Sequence, residues 1–392
     1  MRIPLLIYFI IAFLATKSHG QEKQLHGNGI KHTAQDSSFS IKFNTRFQTL
    51  YEAKINTSTN DWSDKLMIRR FRLKFGGFAY NPKFEYKIEL ALSNRDQRVP
   101  IQKIDDGSNM VLDAVLKWHF AKNWQLWFGQ TKLPGNRERV ISSQQMQFVD
   151  RSNLNARFNL DRDKGIQLHH EHQVGKNVFK ETGSVSMGEG RNIIDKNTGG
   201  YDYTLRAEYL PFGEFQADGD YFGADLEREK TPRLAFGFTY DYNDHASRTR
   251  GQLGDYLEET SSLKSYFIDM IFKYKGFSLM SEYVNKKIDN GSAFGIEEGS
   301  QTAINPSGDL AYFYTGTGLN IQSGYVFKNN FEIATRYTKL NPEHYNDNRQ
   351  YTLGLSKYIS KHTLKIQSDI TLIEEIENAD IIMFRLQVEI GI

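Results

Sequence analysis

Basic residues alternate with apolar residues in the run 68–75 of the 392-residue chain. In a β-strand, alternate side chains point to the same side, so Arg70, Arg72 and Lys74 share one face, about 7 Å apart. Arg46, in a neighbouring strand pattern, faces the same side. Guanidinium groups bind phosphate-like anions through paired N–H donors, so this face indicates an anion path. The alternative is that acids lie opposite these bases and leave little net selectivity.

A second basic stretch covers residues 132–162. It is too long for a plain hairpin loop, which indicates a functional segment. The stretch carries twice as many bases as acids: Lys132, Arg137, Arg139, Arg151, Arg157 and Arg162 against Glu138, Asp150 and Asp161. We predict that it folds toward the basic face as a constriction, with Lys132, Arg137 and Arg139 in the anion path. The alternative is an ordered outer cap.

Other reactive residue types do not converge on a site. His169, His170, Glu171 and His172 are consecutive, but on a strand the first and third face one side and the other two face the opposite side. The four therefore cannot bind one metal ion together. The sequence contains no phosphate-binding glycine loop, dinucleotide fingerprint or hydrolase motif. We predict no metal, no cofactor and no enzymatic activity.

The elements that position the basic residues are strands. Apolar and polar residues alternate over residues 39–51, and the pattern recurs down to residues 384–392. Alternating segments of about 10–13 residues are typical of tilted membrane strands, since strands of soluble proteins are usually shorter. Tight turns are predicted at 81–82, 121–123, 175–177, 275–276, 328–330 and 360–362, and longer loops at 53–63, 95–109, 132–162, 188–200, 243–263, 289–310, 342–347 and 374–379. Short periplasmic turns that alternate with long outer loops are typical of an outer-membrane barrel.

The number of strands depends on residues 211–232, which are rich in turn-forming residues. If they form one long periplasmic connection, 16 strands remain and both chain ends lie on one side; 18 strands is the alternative. Because hydrocarbon offers no partner to free N–H and C=O groups, the last strand must pair with the first. We therefore predict an all-β fold, a closed antiparallel transmembrane β-barrel of 16 strands over residues 38–392 that encloses an aqueous channel.

The N-terminus has the pattern of a secretory signal peptide over residues 1–20, with Arg2, an apolar stretch and small residues before Gln21. Residues 21–37 lack any period and are predicted to be a flexible periplasmic lead. Removal of residues 1–20 lowers the formal charge from +2 to 0, which gives no reason to expect nucleic-acid binding. A mean hydropathy of −0.56 excludes a bundle of membrane helices, and 13% aromatic residues argue against a disordered chain. The sequence has no cysteine, so no disulfide stabilises it.

Several motifs together resemble one known family. Residues 128–134 read Phe-Gly-Gln-Thr-Lys-Leu-Pro, residues 148–152 read Phe-Val-Asp-Arg-Ser, and residues 161–168 read Asp-Arg-Asp-Lys-Gly-Ile-Gln-Leu. With Arg-Arg-x-Arg at 69–72, this order resembles the phosphate-selective porin O and P family. The resemblance implies a trimeric outer-membrane barrel whose path for phosphate-like anions includes Arg69, Arg70, Lys74 and Lys132. The chain departs from the family pattern at Gln144, where Arg often follows a Ser-Ser pair.

We therefore predict a passive porin in the outer membrane of a Gram-negative bacterium that favours anions such as phosphate or polyphosphate. The predicted anion path comprises Arg46, Arg69, Arg70, Arg72, Lys74, Lys132, Arg137 and Arg139. The predicted partners are membrane lipid and lipopolysaccharide, further copies of the chain in a homotrimer, and small anionic solutes. Two alternatives stay open: a general, non-selective diffusion porin, and a barrel with an enzymatic or a structural or adhesive role.

Overall fold

Long antiparallel strands build almost the whole fold. The computed structural model describes residues 29–97, 109–194, 197, 199–289, 302–304, 310–375 and 379–392, so the predicted signal peptide lies outside the described residues. Within these ranges, sixteen strands form the barrel: β1 (Phe39–Asn56), β2 (Trp62–Ala79), β3 (Phe84–Ala91), β4 (Val111–Ala121), β5 (Trp124–Lys132), β6 (Arg162–Val174), β7 (Asn177–Ser186), β8 (Asp202–Leu210), β9 (Arg233–Arg248), β10 (Tyr256–Tyr274), β11 (Phe277–Ile288), β12 (Gly316–Val326), β13 (Phe331–Pro342), β14 (Asn348–Ser360), β15 (Leu364–Glu375) and β16 (Ile381–Gly391).

The sheet closes on itself. Every strand pairs with its neighbour in sequence, and β16 pairs with β1 from Ile381 opposite Asn56 to Gly391 opposite Arg46. Closure leaves no free edge, as a sheet in hydrocarbon requires. Residues 211–232 form one connection without a strand, in which Gln216–Tyr221 is a 3₁₀ helix. The prediction of a closed, 16-stranded antiparallel β-barrel is confirmed.

Connections alternate between the two ends of the barrel. The turn end carries residues 80–83, 122–123, 175–176, 275–276, 327–330 and 361–363, the connection 211–232, the start of β1 and the end of β16. The loop end carries the other connections, including residues 133–161 between β5 and β6. The loops predicted at 53–63 and 243–263 are shorter than expected, because ladder pairing continues to Ile55–Trp62 and to Arg248–Tyr256.

The barrel wall is apolar outside and polar inside. In β8, Thr204, Arg206 and Glu208 are buried on the inner side, whereas Tyr203 and Leu205 are exposed on the outer side. The distribution of polar and apolar side chains is the reverse of that in a soluble protein, as expected for strands with lipid on one side and water on the other. The alternation seen in the sequence therefore corresponds to the two sides of the wall.

Three smaller features complete the described fold. Ile30–Thr33 forms a short strand that pairs with residues 40–43 of β1, so the prediction of a flexible lead over 21–37 is wrong for these residues. Main-chain pairing with β1 holds them, although their side chains show no alternation. Short helices cover Asn94–Gln97, Arg137–Val140 and Asn153–Phe158, and Thr302–Ile304 pairs with Leu310–Tyr312. Within the described ranges, helices are too short and too polar to cross a bilayer.

Candidate functional site: the basic cavity

Arg69 and Arg70 lie in a β-bulge of β2. Gln48 of β1 lies opposite Arg70, but the next residue, Thr49, lies opposite Ile68, so Arg69 is the extra residue. A bulge of this kind redirects a side chain that strict alternation would send to the other side. Both guanidinium groups therefore reach one carboxylate, that of Asp150. Arg69 donates from Nη2 at 2.7 Å and from Nε at 3.0 Å, and Arg70 donates from Nη2 at 2.9 Å.

Two further predicted arginines are also paired with acids. Arg72 contacts Glu89 at 3.0 Å and Asp96 at 2.9 Å. Arg46, on the neighbouring strand, contacts Glu389 of β16 at 3.0 Å. The structure brings these arginines together on the inner side of the wall, but each of these guanidinium groups has a carboxylate beside it. We refer to Arg69, Arg70 and Arg72 as the paired arginines.

Asp150 lies in the connection between β5 and β6 and keeps its charge. Burial raises the pKa of its carboxyl group, but the attraction of Arg69 and Arg70 outweighs burial and holds that pKa well below the usual range. The carboxylate is thus ionised at neutral pH. Its charge offsets part of the positive charge of the paired arginines and ties the connection to β2.

The connection 133–161 contacts the inner side of the barrel wall over a wide arc. Gln147 donates to Glu332 of β13 at 2.7 Å, and the Val149 N–H donates to Asp369 of β15 at 3.2 Å. An apolar cluster joins the connection to the wall: Leu133, Leu154, Phe158 and Leu160 pack with Phe267, Val284, Tyr314 and Leu340. These contacts with inward-facing residues are those expected of a segment folded into the lumen.

Arg137 lies inside a buried ionic cluster. Its Nε donates to Asp269 of β10 at 2.7 Å and its Nη2 donates to Glu208 of β8 at 3.1 Å, and its side chain is 0% exposed. It lines neither of the two large cavities described below. The structure thus places Arg137 outside both cavities, enclosed by the acids of two strands, and its membership of the anion path stays a prediction.

Lys132 and Arg139 also bind protein groups. The Lys132 ammonium group donates to the carbonyl oxygens of Val140 at 2.8 Å and Ile141 at 3.2 Å. Arg139 forms an ion pair with Asp161. The carbonyl groups around Lys132 are neutral, so its positive charge is not cancelled, whereas that of Arg139 is. Both residues hold the connection 133–161 against the ends of β5 and β6.

A cavity of about 640 Å³ runs along the inner wall beside β2–β8. It extends from Asp96 and Arg191 at the loop end to Asn123 at the turn end. Bases outnumber acids in its lining: Arg69, Arg70, Arg72, Lys74, Lys87, Arg95, Lys132, Arg139, Arg151, Arg162, Lys180, Arg191 and Arg206 against Glu89, Asp96, Asp161, Glu171 and Glu208. Because the excess is large, the cavity is electropositive even with many bases paired.

A second cavity of about 390 Å³ lies at the turn end. It shares Lys74 and Gln145 with the first cavity and is also lined by Arg46. Part of its wall is formed by residues of the connection 211–232. Of the eight predicted residues, Arg69, Arg70, Arg72, Lys74, Lys132 and Arg139 line the first cavity, and Arg46 and Lys74 line the second.

Five bases in the first cavity have no carboxylate oxygen within ion-pair distance in the described part of the chain: Lys74, Arg95, Lys132, Arg151 and Arg191. Three of them, Lys74, Arg151 and Arg191, are considered further, and we call these three the carboxylate-free cations. Arg151 donates to the carbonyl oxygens of Glu138 at 2.9 Å and Ile141 at 2.7 Å, and Arg191 donates to that of Asp96 at 2.6 Å. Burial lowers the pKa of Arg151 and of Arg191 to about 10, which leaves both charged at pH 7.

The sequence prediction missed several residues of this cavity. Lys87 forms an ion pair with Asp113 at 2.6 Å, and Arg162 contacts the same aspartate at 2.8 Å. Both occupy polar positions of alternating strands, so the pattern could have assigned them to the inner face. The pattern could not show that the two residues lie at the same position along the barrel axis, because strand register decides that position. Arg191 lies in a connection and had no such signal.

The family assignment follows from a match along the sequence. The family model for phosphate-selective porin O and P matches residues 41–371. The chain belongs to this family. This porin forms a water-filled channel for passive diffusion of small solutes, in agreement with the polar inner face of its barrel. A comparison with curated proteins finds no match.

Solved structures share the fold of this porin. The anion-selective porin from Comamonas acidovorans matches with a TM-score of 0.56 and 10% identity, covering 90% of this chain and 100% of that chain. OmpF of Salmonella typhi in complex with daunomycin matches with a TM-score of 0.55 and 12% identity, covering 92% and 100%. The trimer form of OmpT from Vibrio cholerae matches with a TM-score of 0.51 and 10% identity, covering 90% and 99%. At such identities the likeness concerns the fold alone.

Proposed function

We propose that this porin carries small anions, phosphate and polyphosphate in particular, through the basic cavity. The observation that carries the proposal is the cavity lining, in which thirteen Lys and Arg side chains accompany five Asp and Glu side chains. A surplus of fixed positive charge in a narrow aqueous path concentrates anions and excludes cations. The phosphate-like solute follows from bidentate guanidinium chemistry together with the family to which the chain belongs.

Within this proposal the carboxylate-free cations attract the solute. A guanidinium group already bound to a carboxylate has few donors left, and its charge is offset. Lys74, Arg151 and Arg191 keep their charge, because their hydrogen-bond partners, where they have any, are neutral carbonyl groups. We infer that the paired arginines chiefly fix the connection 133–161 and that this connection acts as the constriction.

The alternative is a general diffusion porin, and one observation favours it. Each paired arginine contacts a carboxylate, as Arg70 contacts Asp150 and Arg72 contacts Glu89. Such pairs produce a transverse field across the path and reduce its net charge. This alternative predicts similar permeability for anions and cations.

We further propose that the barrel is a homotrimer in the outer membrane of a Gram-negative bacterium, in contact with lipid and lipopolysaccharide. OmpT of Vibrio cholerae has a trimer form with the same fold, which supports the assembly by analogy. The turn end then faces the periplasm, since long loops of such barrels lie outside. The proposed role is that of a channel and not of an enzyme.

Single-channel recording in planar bilayers tests the proposal. With a salt gradient, we expect a reversal potential of the sign set by anions, and we expect added phosphate to block the chloride current. The combined variant Lys74→Gln, Arg151→Gln, Arg191→Gln should weaken phosphate block by about tenfold, which corresponds to about 1.4 kcal/mol of binding free energy.

A matched control removes the same charge outside both cavities. Lys31, Lys54 and Lys65 line neither cavity, so their combined replacement by Gln should leave phosphate block and reversal potential unchanged. A reversal potential near zero in the parent, without phosphate block, would support the general porin instead. A barrel that conducts almost no current would contradict both and favour an enzymatic or adhesive role.

A further inference from the structure

A cluster of potential metal ligands lies on the outer side of the barrel at the turn end. His170 and His172 are alternate residues of β6, and Glu181 of β7 is the direct cross-strand partner of His170. The three side chains therefore project from the same side of the sheet. This side is opposite to the side on which His169 and Glu171 line the basic cavity; His170 also borders that cavity, whereas His172 and Glu181 do not.

The donor atoms have the separations that a small metal ion requires. His170 Nδ1 lies 3.0 Å from Glu181 Oε2, and His172 Nδ1 lies 3.6 Å from Glu181 Oε1. One donor atom from each of the three residues can be chosen so that all lie within 4.8 Å of one another. Zinc bonds of about 2.0–2.2 Å in tetrahedral geometry place ligand atoms about 3.3 Å apart. The cluster therefore needs only small side-chain adjustments to bind an ion.

The two imidazole rings are held in place by aromatic stacking. His170 stacks on Trp124 with ring centroids 4.1 Å apart, and His172 stacks on Phe179 at 5.1 Å. The two histidine rings also stack on each other at 5.1 Å. Side chains that are already ordered lose little rotamer entropy on binding, which favours a preformed site.

One nitrogen of the cluster lacks a hydrogen bond. The Nδ1 atom of His172 is shielded from solvent and has no hydrogen-bond partner in the part of the chain that the structure describes. A shielded ring nitrogen without a partner is energetically unfavourable. The carboxylate of Glu181 lies 3.6 Å from this nitrogen, and a cation between the two groups would bind both.

We propose that His170, His172 and Glu181 bind a divalent transition-metal ion of the zinc type. Two imidazole nitrogens and one carboxylate oxygen suit Zn²⁺ better than Ca²⁺ or Mg²⁺, which prefer oxygen ligands. The set leaves a fourth position for water or for a group supplied from outside. Two of the three ligands, His172 and Glu181, lie outside the cavity lining, so the site goes beyond the proposed transport of anions. The four consecutive residues 169–172 alone do not form it; the third ligand comes from the next strand.

Zinc binding to the tag-free, folded barrel in detergent micelles tests the proposal. Equilibrium dialysis against Zn²⁺ should give one saturable site per chain. His172→Gln and, separately, Glu181→Gln should each weaken that binding by about tenfold or more. Co²⁺ in place of Zn²⁺ should give the visible absorption of a tetrahedral site in the parent and lose it in both variants.

His119→Gln serves as the matched control. The Nε2 atom of His119 lies 3.4 Å from Oε1 of Glu85. These two residues form a single imidazole–carboxylate pair near the same end of the barrel. The control should bind Zn²⁺ as the parent does. Circular dichroism shows whether each variant keeps its β-sheet. Equal Zn²⁺ affinity in a folded His172→Gln variant and the parent would overturn the proposal, as would the lack of saturable binding by a folded parent.

Discussion

The paired arginines and the carboxylate-free cations line the same cavity but differ in their surroundings. Arg69 and Arg70 share Asp150, whereas Arg151, the very next residue in sequence, donates to two main-chain carbonyl groups. Both sets are basic and both face the path. Only the second set leaves its charge without an acid beside it. The comparison shows that a basic run in a sequence indicates how many positive charges are present, but not the electrostatic potential that a solute meets in the cavity.

This difference also separates two roles. Burial of an ion pair costs desolvation free energy, and the attraction between the two charges offsets only part of that cost. Removal of one partner is worse, because it leaves a buried charge without a counter-charge. Paired groups are therefore sensitive positions for stability. Unpaired cations contribute little to stability and much to the local potential. The predictions below use this contrast, beginning with the largest expected effect.

Replacement of Arg137 should affect stability most and selectivity least. Arg137→Gln leaves Glu208 and Asp269 with Arg206 as their remaining basic partner, in a site that is almost fully buried. We expect the free energy of unfolding to fall by about 3–5 kcal/mol. Phosphate block should stay as in the parent, because Arg137 lines neither cavity. Denaturant unfolding in micelles and bilayer recording give the two readouts.

The exposed pair of Lys65 and Glu52 provides the reference for Arg137. Lys65→Gln should change the unfolding free energy by less than about 1 kcal/mol. If Arg137→Gln instead weakens phosphate block at unchanged stability, Arg137 belongs to the anion path and the assignment made here is wrong.

Removal of Asp150 should leave Arg70 without an ion pair and Arg69 with its weaker contact to Asp96 at 3.6 Å. Asp150→Asn leaves Arg69 and Arg70 without the carboxylate they share, so we expect a loss of about 2 kcal/mol in stability, since Asp150 is partly exposed. Phosphate block should become stronger, because two guanidinium groups gain free donors. Asp64→Asn, at an exposed position of β2, is the control. Weaker block in Asp150→Asn would show that charge pairing does not govern the path.

Two neighbouring positions on one face of β2 separate the roles directly. Lys74→Gln and Arg70→Gln each remove one positive charge. We expect Lys74→Gln to weaken phosphate block about threefold and to leave stability within about 1 kcal/mol. Arg70→Gln should lower stability by about 2 kcal/mol, because Asp150 and Gln48 lose a donor. Equal changes in phosphate block and in unfolding free energy for the two variants would contradict the distinction between paired arginines and carboxylate-free cations.

The smallest expected effect is the loss of the stability contributed by Asp150 at acidic pH. The pKa of Asp150 lies well below its usual value in the folded state, so its contribution to stability is complete above the unfolded value of about 3.9 and is lost as pH falls through the folded value. The stability difference between the parent and Asp150→Asn should therefore be constant from pH 8 to pH 5 and shrink only below about pH 4. Unfolding curves across this range provide the measurement. A difference that shrinks already near pH 6 would contradict the depressed pKa.

Much of the barrel was predictable because strand alternation is a local property. The inner positions of Arg46, Arg70 and Arg72 follow from period two, and these side chains are buried inside as expected. Closure follows from the lack of partners in hydrocarbon. The bulge at Arg69 was not predictable from alternation, since a bulge interrupts that period. The family resemblance nevertheless included Arg69 among the residues of the path.

The site was less predictable than the fold, since its members come from distant positions. Arg46 meets Glu389 across the closing pair of strands, and Arg137 meets acids of β8 and β10. Glu181 joins His170 only because β6 and β7 are in that register. A one-residue change of register would invert every such contact. Composition and spacing show which side chains are present, but not the position of each one along the barrel axis.

The sequence by itself determined the strands, the side of the wall on which the residues outside the bulge lie, the connection 211–232 and the identities of the bases. These depend on backbone geometry and on the demand of hydrocarbon for closed pairing. Only the tertiary structure decided which bases are neutralised and which keep their charge. That decision depends on distances between strands and on the path of residues 133–161, where a few ångströms separate an ion pair from a free cation.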